Sequence, residues 1–118
     1  MQITERVVGQ AVILSLNGRF VFDVRKSFQQ AIQKAHEKSP RKIVLNMEGV
    51  TYLDSAGLGL IALASEQAKI QHIVFCLVNP VGAVRRLLDL AQLPKILPVH
   101  ETEEQALRPG PAALASAT

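Results

Sequence analysis

Two short, uninterrupted apolar runs constrain the fold of this chain more than any other feature. They occupy residues 43–45 and 73–78 and are built from Ile, Val, Leu and Phe with one Cys. Strands that are apolar along their whole length are buried on both faces, as at the centre of a parallel sheet. A stretch long enough for a helix separates the two runs, which predicts a right-handed crossover between parallel strands.

The rest of the chain alternates in the same way. Gly9-Gln10 separates two strand-like runs and is typical of a tight hairpin, and Asn17-Gly18 predicts a turn. Apolar residues at helical spacing, such as Val24, Phe28 and Ile32, predict amphipathic helices. The predicted elements are strands at 3–8 and 11–17, a helix at 24–38, a strand at 42–46, a helix at 56–69, a strand at 72–78, a helix at 81–91, a strand at 95–99 and a helix at 101–107.

This order, ββαβαβαβα, predicts a single α/β domain with a mixed, mostly parallel sheet of about five strands and about four helices. A length of 118 residues suits one domain. We expect the domain at residues 1–107 and a disordered, Pro- and Ala-rich tail at 108–118. Asp23 is the expected N-cap of the first helix, and Thr102 with Gln105 is the expected capping box of the last.

Charge and motifs argue against nucleic-acid binding and against catalysis. The formal net charge is +3 and the basic residues are scattered, whereas nucleic-acid binding needs a clustered basic surface. The sequence contains no Walker-type loop, no Gly-x-Ser-x-Gly element and no metal-ligand cluster, so we expect no catalytic site, cofactor or metal. His36, His72 and His100 lie far apart along the chain, and we expect all three to be solvated.

The sequence also lacks features of membrane insertion or export. No apolar run reaches 18 residues, and the N-terminus has no signal-peptide pattern, so we expect a cytoplasmic protein without direct membrane insertion. The single cysteine, Cys76, lies within the apolar run 73–78. It is expected to be a buried, unreactive core residue.

The most unusual local feature is Asp54-Ser55-Ala56-Gly57-Leu58-Gly59, at the start of the second predicted helix. A glycine in a helix costs about 1 kcal/mol relative to alanine, so Gly57 and Gly59 suggest that something approaches this backbone closely. A helix N-terminus offers free N–H groups and a positive dipole end, both of which stabilise a phosphate. Ser55 is therefore either a simple N-cap, or a modification site, or both.

The same segment resembles the signature of the STAS family, and of bacterial anti-sigma-factor antagonists in particular. The similarity extends over nearly the whole chain and leaves only 108–118 outside. It is carried by Ile43-Val44-Leu45-Asn46 and Val50-Thr51-Tyr52-Leu53-Asp54-Ser55-Ala56-Gly57-Leu58-Gly59, with support from Leu16-Asn17-Gly18-Arg19-Phe20, Asn79-Pro80-Val81, Val84-Arg85-Arg86-Leu87-Leu88 and Glu104-Gln105-Ala106-Leu107.

The resemblance implies a phosphorylation-controlled, non-enzymatic binding protein. In that family the serine matching Ser55 is phosphorylated by an anti-sigma factor that is also a serine kinase. The unphosphorylated form binds this partner and frees a sigma factor or another client, and a phosphatase resets the switch. Asp54 matches the acidic residue beside the site, and Asn46 matches a strand-end asparagine that orders the loop before Asp54. The implied partner-binding region comprises Asp23, Asn46, Asp54, Ser55, Ala56, Gly57, Leu58 and Gly59.

Two questions stay open at this level. Many family members carry an acidic residue where this chain has Val21, and Asp23 follows two residues later. Asp23 either supplies that acid, displaced toward the same site, or only caps the first helix. The chain could also be a STAS-like structural subunit of a transporter or sensory complex that is never phosphorylated. A serine at position 55 counts mildly against that alternative.

Overall fold

The computed structural model describes residues 1–108, and the sequence predicts their architecture correctly. A five-stranded mixed sheet carries four α-helices, and the strands follow their sequence order, β1-β2-β3-β4-β5. The predicted α/β class and the order ββαβαβαβα are confirmed. The elements are β1 (Gln2–Val8), β2 (Ala11–Phe20), a 3-10 helix (Phe22–Val24), α1 (Arg25–Glu37), β3 (Lys42–Leu53), α2 (Ser55–Ile70), β4 (Val74–Val78), α3 (Gly82–Leu90), a second 3-10 helix (Leu93–Lys95), β5 (Val99–His100) and α4 (Glu103–Leu107).

The hairpin that opens the sheet forms as predicted. β1 and β2 are antiparallel, and Val8 lies opposite Ala11 across the two-residue link. The three later pairings, β2 with β3, β3 with β4 and β4 with β5, are all parallel. The crossover helices that join parallel strands cover the sheet, which explains why the two central apolar runs are buried on both faces.

The turn predicted at Asn17-Gly18 is wrong. Both residues lie inside β2, where the pairing with β3 shifts register between Ser15 and Asn17 and again between Gly18 and Arg19. Gly18 has φ +113°, a conformation that glycine adopts without strain. An irregularity of this kind needs the same residue types as a turn, but the strand continues through it.

Two predicted strands end too early and one is misplaced. β2 and β3 continue to Phe20 and Leu53, well past the predicted ends at 17 and 46. Of the strand predicted at 95–99, only Val99 lies in a strand, and Lys95 is the last residue of the 3-10 helix Leu93–Lys95. Pro94 has no N–H to donate to a sheet and Gln92 is left-handed, with φ +59°, so the chain before Leu97 turns instead of extending. Only Val99–His100 pairs with β4.

The core consists of two apolar clusters, one on each face of the sheet. Alternate residues of a strand point to opposite faces, so Ile43 and Leu45 join one cluster while Val44 joins the other. The larger cluster packs under α1, α2 and α3 and includes Phe20 and Phe28, whose ring centroids are 4.8 Å apart. The smaller cluster is closed by α4 through Ala106 and comprises Ile13, Val44, Cys76, Val78 and Ala106.

Polar contacts fasten α4 to the sheet. Arg6 Nη2 donates to both carboxylate oxygens of Glu103 at 2.5 and 2.6 Å, and Asn46 Nδ2 donates to Glu103 Oε2 at 2.7 Å. Lys42 Nζ donates to the carbonyl oxygens of Ala106 and Arg108 at 2.5 and 3.2 Å. The side chain of Thr102 caps the helix by accepting from the N–H of Gln105, as predicted.

The expectation for Cys76 is confirmed, and the expectation for the histidines is not. Cys76 is buried as predicted, and burial raises the pKa of its thiol to about 11, although the charge of Lys42 opposes the shift. The expectation that all three histidines are solvated is wrong, because His36 is half-buried with its Nε2 buried and without a hydrogen-bond partner among residues 1–108. His100 is half-buried too. The tail expected at 108–118 lies outside the described residues, apart from Arg108.

Candidate functional site

Asp54 joins three segments at the carboxyl end of β3. Its Oδ1 accepts from the backbone N–H of Gly57 at 2.7 Å, which makes it the N-cap of α2. Its Oδ2 accepts from the N–H of Phe22 at 3.4 Å, and its own N–H donates to the carbonyl of Phe20 at 3.3 Å. One carboxylate therefore ties the start of α2 to the 3-10 helix that follows β2.

Ser55 is the first residue of α2, and its side chain is exposed. The interpretation of Ser55 as the N-cap is wrong, because the N-cap is Asp54, with extended backbone at φ −100° and ψ 178°. Within residues 1–108 the structure shows no hydrogen bond to the Ser55 hydroxyl. The hydroxyl of this exposed residue therefore takes no part in the hydrogen bonds that hold residues 1–108 together.

The two glycines of the segment have different roles. A Cβ on Gly57 would overlap the carbonyl oxygen of Phe20 and lie 2.8 Å from Leu53 Cδ1, so the close approach predicted here is made by the chain itself. A Cβ on Gly59 would meet nothing within 4 Å, and Gly59 is exposed. Ala56 and Leu58, which flank Gly57, are half-buried. Of the two glycines, only Gly59 leaves open space beside the helix backbone.

The structure corrects the predicted role of Asp23. The N-cap of α1 is Val24, and no side chain caps this end of the helix. Asp23 directly precedes this N-cap and lies exposed in the 3-10 helix Phe22–Val24. Capping is thus excluded as the reason for an acid at this position. Asp23 directly follows Phe22, and the backbone N–H of Phe22 donates to the carboxylate of Asp54.

Asn46 is not at the end of a strand. It is the last residue of β3 that pairs with β4, opposite Val78, and β3 continues for seven residues beyond it. Its Oδ1 accepts from the N–H of Glu48 at 3.0 Å while its Nδ2 binds Glu103 of α4. Within residues 1–108, the side-chain hydrogen bonds of Asn46 are therefore with α4 and with the next part of β3, and not with Asp54 or Ser55.

Two exposed aromatic residues near Asp54 carry stacked arginines, which the sequence interpretation does not anticipate. The guanidinium carbon of Arg25 lies 3.9 Å from the ring centroid of Phe22, and that of Arg19 lies 4.6 Å from the ring centroid of Tyr52. Phe22 and Arg25 are three residues apart, a spacing that indicates contact in a helical turn. Arg19 and Tyr52 are opposite one another in the β2–β3 pairing, so only the register reveals them.

Residues 1–108 contain neither a cluster of metal-ligating side chains nor a membrane-spanning helix. In residues 1–108, His, Cys, Asp and Glu side chains do not come together in groups of three or more that could hold a metal ion. No helix in that range combines the length and apolar character needed to cross a bilayer.

Comparison with known proteins places these features in a family. The sequence profile of the STAS domain matches residues 2–106. A STAS-domain-containing protein of Pseudomonas aeruginosa is 28% identical over 77% of this chain and 89% of its own length. An anti-sigma F factor antagonist of Paenibacillus polymyxa is 36% identical over 71% of this chain and 69% of its own length. The crystal structure of an anti-sigma factor antagonist from Mycobacterium paratuberculosis superposes with a TM-score of 0.81 at 25% identity, covering 90% of both chains.

Proposed function

The chain belongs to the STAS domain family, and we propose that it is an anti-sigma factor antagonist whose binding to a protein partner is switched by phosphorylation of Ser55. The partner is an anti-sigma factor with serine kinase activity, and a phosphatase reverses the modification. Support for the class comes from relatives that are anti-sigma factor antagonists. The proposed phosphorylation rests on the geometry of Ser55.

The observation that carries the proposal is that Asp54, and not Ser55, makes the hydrogen bonds that hold the start of α2. Asp54 caps α2 and holds the 3-10 helix, so the fold does not need the Ser55 hydroxyl. A phosphate on Ser55 would sit at the positive end of the α2 dipole, where a helix tolerates an anion well. Modification should therefore leave the domain folded and change only what can dock on it.

The switch itself is electrostatic. Residues 55–65 of α2 carry no ionisable side chain, so the surface that begins at Ser55 is neutral along this helix. Phosphorylation adds about −1.5 to −2 charges at one point of that surface. A partner that is complementary to the neutral form would have to bury this dianion next to the carboxylate of Asp54. Charge repulsion and desolvation both oppose docking of the modified form.

The first test is the mass of the intact protein from its native host, before and after phosphatase treatment, with the modified residue mapped. We expect a phosphatase-sensitive gain of one phosphoryl group on Ser55. Absence of this gain during growth, starvation and stress would contradict the proposal and favour an unmodified structural subunit.

The second test compares immobilised Ser55→Ala and Ser55→Asp as baits in lysate of the native host. We expect Ser55→Ala to retain a partner that Ser55→Asp loses, while both variants keep the thermal stability of the unmodified protein. Ser39→Asp is the matched control, because Ser39 is also exposed and its φ of +50° is one that Asp tolerates. Equal retention by Ser55→Ala and Ser55→Asp would reject the switch.

A further inference from the structure

Phe22 is an exposed aromatic residue with no role in the core. Its residue surface is 54% exposed, whereas Phe20 and Phe28 on either side of it are almost fully buried. An exposed phenyl ring contributes little to folding, since the hydrophobic effect acts only on surface removed from water. Its location is distinctive, because its backbone N–H binds the same Asp54 carboxylate that caps the helix of Ser55.

The ring is held in place by its surroundings. Arg25 Nη1 donates to the carbonyl oxygen of Phe22 at 3.3 Å, and its guanidinium stacks over the ring at 3.9 Å from the centroid. Contact of this kind between a guanidinium and an aromatic face is attractive. With its backbone fixed at both the N–H and the carbonyl, Phe22 loses little conformational freedom when a second surface covers it. Binding residues that are ordered in advance contribute more to affinity for that reason.

We propose that Phe22, steadied by Arg25, is the anchor residue that the protein partner of Ser55 buries, in an apolar pocket with a carboxylate at its rim. This inference rests on the proposed function, because it assigns the anchor of the same docking surface. Aromatic residues and arginine dominate the binding energy of protein interfaces when they are central and desolvated. Asp54 binds Phe22 and immediately precedes Ser55, so one docked surface would cover both.

The charge pattern specifies the partner's chemistry. Within residues 1–108 the structure shows no salt bridge for Arg25, in contrast to Arg6, Arg85 and Arg108. Arg25 Nη1 uses one N–H on the Phe22 carbonyl, and stacking of the guanidinium face leaves the other edge N–H groups available to a carboxylate. Asp23 directly follows Phe22 and would repel a second acid. The proposed carboxylate of the partner therefore lies next to Arg25.

The test uses the host protein that Ser55→Ala retains and Ser55→Asp loses. We expect Phe22→Ala to lower capture of that protein at least about tenfold, the loss typical of an anchor residue. Val7→Ala should capture it like the unmodified chain, since Val7 is 57% exposed on β1 and truncation there removes a similarly exposed apolar group. Arg25→Gln should lower capture by less than Phe22→Ala does. Raised salt should lower capture by the unmodified chain to a similar extent, because it screens the charge of Arg25.

Phe22→Trp separates an anchor from a merely structural residue. We expect this variant to bind like the unmodified chain and its indole fluorescence to shift to shorter wavelength when the purified partner is added. This chain contains no other Trp, and the spectrum of the partner mixed with the unmodified chain is subtracted to remove the partner's own emission. Capture by Phe22→Ala within about twofold of the unmodified chain, or an unshifted Trp spectrum in the complex, would overturn the inference.

The two proposals fail in different ways. Equal capture by Ser55→Ala and Ser55→Asp removes the switch, and the anchor assignment falls with it. A partner that depends on Ser55 but not on Phe22 leaves the switch standing and rejects the anchor alone. The free energy of unfolding of Phe22→Ala, measured by urea denaturation, should match that of the unmodified protein. If Phe22→Ala does not fold, the fluorescence of Phe22→Trp decides the question instead.

Discussion

Gly57 and Gly59 are two residues apart in one helix and have opposite surroundings. Gly57 is buried against the end of β2, where an added Cβ would overlap the Phe20 carbonyl oxygen. Gly59 faces open space. The first glycine is therefore required by packing of α2 on the sheet, while the second carries only the entropic cost of glycine in a helix.

Substitution of each glycine by alanine should change stability in opposite directions. Gly57→Ala is expected to lower the free energy of unfolding by about 1–3 kcal/mol, because the backbone of Phe20 must move to admit the methyl group. Gly59→Ala is expected to raise it by up to about 1 kcal/mol through better helix propensity. Urea denaturation followed by circular dichroism measures both, and each variant is the matched control for the other. A common sign for the two changes would contradict the packing described for Gly57.

The predicted helix caps show what a sequence can and cannot establish about a site. The motif locates Ser55 at the start of α2 correctly, since its neighbours have a fixed local geometry. The capping roles are wrong for Ser55 and Asp23, because a cap depends on which N–H groups are still free. Before α1, the N–H groups of Val24 and Arg25 are already bound by the carbonyls of Val21 and Phe22 in a 3-10 turn. The sequence does not reveal that turn.

At the scale of elements, α4 depends on polar contacts to an unusual degree. The helix has five residues, and only Ala106 among them is fully buried. So small an apolar contact cannot alone offset the entropy of ordering the segment. The charge-assisted bonds from Arg6 and Asn46 to Glu103, and from Lys42 to the last carbonyls, supply the remaining attachment.

Glu103 should make the stability of the domain depend on acid pH. The hydrogen bonds from Arg6 and Asn46 hold the pKa of Glu103 below its ordinary value, although partial burial opposes them. A carboxyl with a lowered pKa stabilises the fold above its unfolded pKa, and this contribution is lost as pH falls through the lower, folded value. Glu103→Gln should therefore cost about 1 kcal/mol near neutral pH and progressively less below about pH 4. Melting temperatures of both proteins across this range give the difference.

Glu104→Gln is the control for this effect. Glu104 is exposed on the same helix and pairs only loosely with Arg108, at 3.6 Å. Its substitution should change stability by less than about 0.5 kcal/mol at any pH. The pKa of His100 is lowered by burial and by Lys42, but its titration is common to all three proteins and cancels in the differences. A Glu103→Gln effect that stayed constant down to about pH 2 would contradict the assignment.

Element order was predictable from the sequence, whereas the attachments of α4 were not. Apolar periodicity depends on neighbours three or four residues away and is visible locally. The contact between Arg6 and Glu103 joins residues 97 positions apart, and no local pattern signals it. The extension of β3 to Leu53 is also hidden, because the register shifts against β2 interrupt the two-residue alternation that identifies a strand.

At the scale of the whole molecule, Cys76 reports on opening of the smaller cluster. It is the only cysteine, it is 1% exposed, and α4 closes the cluster that contains it. Since only the thiolate reacts and the thiol pKa is raised to about 11, alkylation requires both exposure and deprotonation. We expect iodoacetamide to modify the native protein at least about a hundredfold more slowly than a cysteine peptide at the same pH.

The denaturant dependence of this reaction distinguishes local from global opening. Release of α4 alone exposes little surface, so its rate should respond weakly to low urea, while global unfolding responds strongly. Glu103→Gln should accelerate the urea-insensitive reaction, and Glu104→Gln should not. Modification of the native protein at the rate of the peptide would contradict the burial of Cys76.

The strand order has a consequence for the growing chain on the ribosome. Every strand pairs with the strand before it, so each new strand meets a finished edge as it is synthesised. The helix α4 behaves differently, because Glu103 returns to Arg6 of the first strand. Until that point is translated, Ile13, Val44, Cys76 and Val78 have no cover on their side of the sheet. The interval between completion of β4 and arrival of α4 is when the nascent protein most needs protection from aggregation.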